Sequence, residues 1–166
     1  FTGAHDAKFS TDVPEDIMPG LIFSVTGKTE VRRDNQSGVS LSSTLPTVAL
    51  CTTEADKGVF GVLVSQGPLP KDHWYKAEEG ERFGVINALG EGRVWVTNRN
   101  GAIEAGDYIT TSDVPGYGQL QDDDLLHSYT LGKAIETINW DQVAETVQHD
   151  GKTYKRYLLA VVYTSG

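Results

Sequence analysis

The sequence predicts an all-β protein, a compact sandwich or barrel-like domain of about ten to twelve short strands with little helix. Three observations carry this. Apolar, β-branched and aromatic runs of about four to eight residues recur along the chain, each bounded by turn residues. Eighteen glycines and six prolines stand beside a hydrophobic fraction of 39%, so the turn residues punctuate a core-forming chain rather than a disordered one. No stretch places apolar residues at helical spacing over any length, and none shows heptads.

Taken in order, residues 1–10 read as a polar arm or early strand. Residues 11–20 form a turn-rich loop carrying Pro14 and Pro19 and ending at Gly20. Two β-rich runs, 21–25 and 29–32, flank Thr26-Gly27-Lys28 and predict a hairpin. Residues 33–37 are a polar loop. Val39-Ser40-Leu41-Ser42 alternates like a half-buried strand, Pro46 interrupts, and residues 48–51 form the next strand. After a loop at 52–57, residues 58–65 (GVFGVLVS) make the most apolar strand and are expected at the centre. Gly61 inside it predicts a bulge or a close backbone approach.

Residues 66–80 form a long loop bearing Pro68, Pro70 and the aromatic cluster His73-Trp74-Tyr75. That cluster predicts either a partner contact or a loop folded on its own aromatics. Residues 83–89 and 93–97, around Gly90-Glu91-Gly92, read as the clearest hairpin. Asn98-Arg99-Asn100-Gly101 is a turn with an Asn-Gly dipeptide. A strand around Tyr108-Ile109 follows, and then a turn at 114–118. Its Pro115-Gly116 pair has the type II pattern, proline fixing φ and glycine supplying a positive one. Asp122-Asp123-Asp124 marks a solvated tip and 130–135 a return strand. Residues 141–148 fit a strand or one helical turn, Asp150-Gly151 a hairpin turn, and 153–163 a long last strand. The chain reads as one domain, 1–166, with no internal repeat and no dividing linker.

The totals bound the function. A net charge of −9 argues against nucleic-acid binding and against anionic membrane surfaces. The one cysteine, Cys51, forms no intrachain disulfide; it reads first as a buried small hydrophobe and second as a nucleophile. No apolar run approaches the roughly 18 residues of a membrane-spanning helix. The first residue is Phe1 rather than Met, for which a fragment released from a larger precursor is one expectation.

Three stretches carry a family likeness. They are Glu104-Ala105-Gly106-Asp107-Tyr108-Ile109-Thr110-Thr111-Ser112 with Pro115-Gly116-Tyr117 and Leu131-Gly132-Lys133-Ala134; Phe1-Thr2-Gly3-Ala4-His5; and residues 59–64. Together they resemble the C-terminal intramolecular chaperone domains of phage and large-virus tail fibres and tail spikes, some of which cut themselves from the fibre after it trimerises. The resemblance implies a homotrimer whose partner is the upstream region of its own precursor. It also implies a place on the virion, or release during assembly in the host cytoplasm, and single-turnover autoproteolysis at or upstream of the N-terminus. It supplies no residue-by-residue match for the catalyst. The alternatives are a retained fibre tip that binds a host receptor or glycan through His73, Trp74 and Tyr75, and a trimerisation cap that is never cut.

Conventional chemistry is absent from the sequence. There is no G-x-S-x-G elbow, P-loop or dinucleotide fingerprint, so neither an ordinary hydrolase nor a nucleotide cofactor is expected. Histidines 5, 73, 127 and 149 show no zinc spacing, and the acids at 122–124 lack the spaced pattern of a calcium loop, so no metal is expected. Self-cleavage needs little apparatus, because the scissile bond is already tethered. A group that activates water and an oxyanion donor suffice. His5 and Asp6 are the first candidates, because they lie nearest the chain start. His127 and Asp123 are the second.

Overall fold

Two five-membered rings of strands account for ten of the eleven strands in the computed structural model, which describes residues 3–34 and 38–165. The first ring runs β1 (Ala4–Phe9), β3 (Thr44–Leu50), β2 (Ile22–Val31), β4 (Val59–Gln66), β5 (Phe83–Asn87) and back to β1. The second runs β6 (Gly90–Thr97), β8 (Gly118–Leu120), β7 (Tyr108–Thr111), β9 (Thr130–Ala134), β11 (Lys152–Tyr163) and back to β6. The remaining strand, β10 (Thr146–His149), pairs outside the ring with β11 through the Asp150-Gly151 turn. Both residues of that turn hold positive φ, as the Asp-Gly pair predicts. The only helix among the described residues is one 3₁₀ turn, Trp140–Gln142, capped by Asn139. The all-β expectation therefore stands.

The two rings have the same topology, which the sequence reading of no internal repeat did not anticipate. In each, the first and third strands are parallel and every other neighbour pair is antiparallel. The correspondence holds residue by residue. Phe23 faces Leu50 across β2 and β3, and Ile109 faces Leu120 across β7 and β8. Phe23 also faces Gly61, Ile109 faces Gly132, and a register shift follows immediately in both. Gly20 N donates to Leu63 O (2.8 Å) and Gly106 N to Ala134 O (2.8 Å). Gly20 and Gly106 hold φ of 97° and 98°. Gly61 and Gly132 bring their Cα against a carbonyl of the fifth strand, Asn87 O and Val162 O respectively, where a side chain has no room. The close approach expected at Gly61 is thus present, twice.

Three sequence expectations are corrected. Residues 21–32 do not form a hairpin: β2 is one continuous strand, bulged between Val25 and Thr29 around Gly27 at φ 91°. Residues 39–42 lie outside any strand, and β3 starts at Thr44 and includes Pro46. Pro46 is tolerated because β1 reaches only Thr47 and Val48, leaving the far side of Pro46 unpaired. The supposed clearest hairpin is the joint between the rings: β5 pairs with β1 and β4, whereas β6 pairs with β8 and β11. Residues 1 and 2 of the opening motif and 35–37 of the polar loop lie outside the described residues.

The rings share their core. Ile22, Cys51 and Val62 from the first pack in one cluster with Val96, Ile109 and Leu159 from the second. Val114 and Tyr117 of the second half enter the first ring's cluster, where Phe9 stacks on Phe23 at 5.2 Å. Phe23 and Ile22 are fully buried, each contributing roughly 1.5–3 kcal/mol of transfer free energy. Cys51 is buried here, and burial pushes its thiol up to about 12, so the structural reading of this residue holds.

Candidate functional site

On β1 the side chains alternate, so Ala7 and Phe9 enter the core and Asp6 and Lys8 face outward. The outward face does not meet open solvent, because the loop between β4 and β5 folds over it. An aromatic ladder stiffens this loop. His73 stacks on Trp74 at 5.2 Å, Trp74 meets Tyr75 edge-on at 6.0 Å, and Tyr75 meets Phe83 edge-on at 6.0 Å. All three loop aromatics are half-buried. Of the two readings of His73-Trp74-Tyr75, the structure shows the loop folded on its own aromatics.

Charge fastens the loop to β1. Lys8 Nζ lies 2.5 Å from Glu81 Oε2 and 3.2 Å from Glu30 Oε1, and the Tyr75 hydroxyl donates to Glu81 Oε1 at 2.8 Å. The Lys8 hydrogen bond, reinforced by the Glu78 backbone N–H, holds the Glu81 carboxyl down at about 2. The same bond raises Lys8 above the usual lysine range. Arg82 closes the far end of the loop by donating to Pro14 O at 2.9 Å.

This anchoring brings His73 to Asp6, with Nε2 3.7 Å from Oδ2. The imidazole's other nitrogen is committed, because Tyr75 N donates to His73 Nδ1 at 3.0 Å. Nδ1 is therefore an acceptor and the proton of the neutral ring sits on Nε2, facing the carboxylate. The His73 side chain is 12% exposed and that of Asp6 35%, so the pair is sheltered yet reachable. Asp6 also lines a recess of about 70 Å³ with Ser65, Gln66 and Phe83, and His73 and Tyr75 line a second of about 310 Å³. A carboxylate that accepts a proton and an N–H donor set 3.7 Å apart can both contact a water or a carbonyl oxygen placed beside the pair.

The other predicted residues fall elsewhere. His5 leaves β1 on the face opposite Asp6, its ring 5.5 Å from Phe60, so the two adjacent candidates do not act on one point. His127 and Asp123 meet each other in the second ring: Nε2 lies 2.9 Å from both carboxylate oxygens. The His127 ring stacks on Tyr129 at 4.5 Å. The His127 hydrogen bond, with a further one from Leu125 N, lowers Asp123 below the ordinary carboxylate range. With both of its oxygens engaged by His127, Asp123 ties down the acidic tip. Lys8 and Glu81 were not singled out in the sequence. Nor was His149, 3.9 Å from Asp113, which in turn pairs with Arg99 at 3.0 Å. Among the described residues no three His, Cys, Asp or Glu side chains converge as a metal site, and no helix is long and apolar enough to cross a membrane.

Comparison of the chain with family models, with curated proteins and with solved structures finds no match.

Proposed function

We propose that this chain is the C-terminal intramolecular chaperone domain of a viral or phage tail fibre or spike. It acts as a homotrimer and is released by a single self-cleavage close to the N-terminal end of β1. The observation that carries the cleavage is the Asp6–His73 pair, placed at the outer face of the first strand. Chain geometry supports it. Gly3, directly before β1, holds φ 69° packed against Leu89, so the backbone turns as it enters the strand.

In this reading water adds to the scissile carbonyl carbon while the Asp6 carboxylate takes its proton. The Nε2–H of His73 donates to the carbonyl oxygen as it becomes an oxyanion. The proton held by Asp6 then passes to the leaving nitrogen, the C–N bond breaks, and a carboxylate and an amine result. Tethering replaces substrate binding, which explains why no deep substrate cleft is required.

The assembly role rests on the resemblance and has a physical logic of its own. Intertwined β-fibres have high contact order and must find their register, and a terminal domain that associates first raises the local concentration of the chains. Removing it afterwards makes assembly kinetically one-way. The retained-tip reading draws on one feature, the recess of about 310 Å³ beside His73 and Tyr75. Expression of the domain behind its natural upstream fibre segment, followed by intact and native mass measurement, separates the readings. Two fragments with a trimeric upstream piece support release. A whole, trimeric chain supports the tip or the cap, and a monomeric uncut chain removes the assembly role.

A further inference from the structure

The repeated ring topology exposes a site that neither the resemblance nor the Asp6–His73 pair involves. Strands β3 and β8 are equivalent in register, so Gln119, opposite Thr110, occupies the place that Ala49 holds opposite Ser24. The fold therefore closes with a methyl at this position. In the second ring it instead carries a primary amide that is 2% exposed, and Gln119 Oε1 has no hydrogen-bond partner. An orphaned buried carbonyl oxygen is destabilising, a cost that a barrel with alanine in the equivalent place avoids.

Gln119 forms part of the wall of a recess of about 160 Å³ that also takes in Glu54, Asn100, Asp122 and Tyr129. Its hydrogen-bonding capacity is one-sided. Gln119 Nε2 donates to Glu54 Oε1 at 2.6 Å, and Asn100 Nδ2 donates to Leu120 O at 2.8 Å and Asp122 Oδ1 at 2.7 Å. Both of these side-chain amides thus donate to protein acceptors, while two carboxylates and an amide oxygen keep accepting capacity. No lysine or arginine lines the recess. The Tyr129 ring, braced from one side by His127, adds an aromatic face. A ligand for this wall must donate hydrogen bonds and carry positive charge. A bare metal ion fits poorly, since no three acidic or imidazole ligands converge here. An organic cation fits the two carboxylates, the amide oxygen and the ring of this wall.

We propose that this recess binds an ammonium or guanidinium group, with Glu54 and Asp122 balancing its charge and Gln119 Oε1 accepting one of its N–H groups. The test is an NMR titration of the ¹⁵N-labelled chain with n-butylammonium and with ethylguanidinium, using n-butanol as the neutral isostere. Affinity in the millimolar range is expected for so small a ligand. The proposal predicts saturable shifts of the Gln119 and Asn100 side-chain amides with at least one cation and none with butanol. The stronger arm identifies the class of headgroup. Glu54→Gln should weaken binding at least tenfold while leaving the remaining backbone spectrum in place, because Glu54 is exposed. Equal responses to butanol and the cations, shifts that never saturate, or unchanged binding in E54Q would each overturn it.

Discussion

Replacing Glu81 with glutamine tests how the 67–82 loop is held over Asp6. The substitution keeps the shape of the side chain but removes the charge that meets Lys8 at 2.5 Å. Moving a carboxyl from its ordinary 4.5 to about 2 corresponds, at face value, to roughly 3 kcal/mol at neutral pH. The two side chains are 16% and 19% exposed, so solvent screening brings the expected loss to about 1–2 kcal/mol. The sign follows from the direction of the shift. Glu81 titrates lower when folded, so its contribution is complete above about pH 5 and disappears as the pH falls towards 2. Lys8 is raised, so its contribution is complete below the ordinary lysine range and is lost only in strong alkali. The two shifts describe one ion pair and are not added. Urea unfolding followed by tryptophan fluorescence, for wild type and E81Q from pH 7 down to 2.5, reads the difference directly. The gap should be about 1–2 kcal/mol at pH 7 and less than half of that by pH 2.5. A gap that stays constant with pH would show that the ionised carboxylate is not its source, and no gap at pH 7 would remove the anchor altogether.

Further expectations follow from the core and from the repeated ring topology. Gly61→Ala and Gly132→Ala each place a methyl against a carbonyl oxygen of the neighbouring strand, Asn87 O and Val162 O. Both should lose about 3 kcal/mol or more in urea unfolding, in line with overpacking against backbone. Wild-type stability in both would contradict the close approach of these glycines to the fifth strand, and a loss in only one would contradict the equivalence of β4 and β9. Cys51, with its thiol pushed up to about 12 by burial, should stay unmodified by a thiol reagent at pH 8 until urea unfolds the chain. Fast labelling of the native protein would place it outside the core.

The strands themselves were legible in the sequence because their signals are local. Alternation and apolar runs marked β4 and β11, Pro115-Gly116 marked a turn whose glycine holds φ 81°, and Asp150-Gly151 marked the last hairpin. Pairing was not legible, since partners are chosen by burial elsewhere in the chain. Residues 83–97 look like a hairpin because two strands flank a short glycine loop. The physical outcome is two strands facing different rings, with Ala88 and Leu89 as the joint and Gly90 to Gly92 already paired with β11. The repetition was hidden because few of the equivalent positions carry the same residue. Gly20 and Gly106, Gly61 and Gly132, and Leu50 and Leu120 persist where backbone conformation or core packing constrains them, and the connection between the second and third strands is longer in the first ring. The glycines at 106, 116 and 132 that carry much of the family likeness are accounted for by the same backbone demands. At the candidate site, Asp6 was legible from its nearness to the chain start. His73 was noticed for its aromatic neighbours, and only the loop's folding brings it to Asp6.

The most direct test of the cleavage proposal is the self-cleavage rate of the chain joined to its natural upstream segment, compared among wild type, Asp6→Asn, His73→Gln and His5→Ala. D6N and H73Q should slow release by about 100-fold or more, as loss of a general base or its opposing donor does, while H5A should cleave at close to the wild-type rate. Unchanged cleavage in D6N and H73Q, with both variants folded, would contradict the proposal.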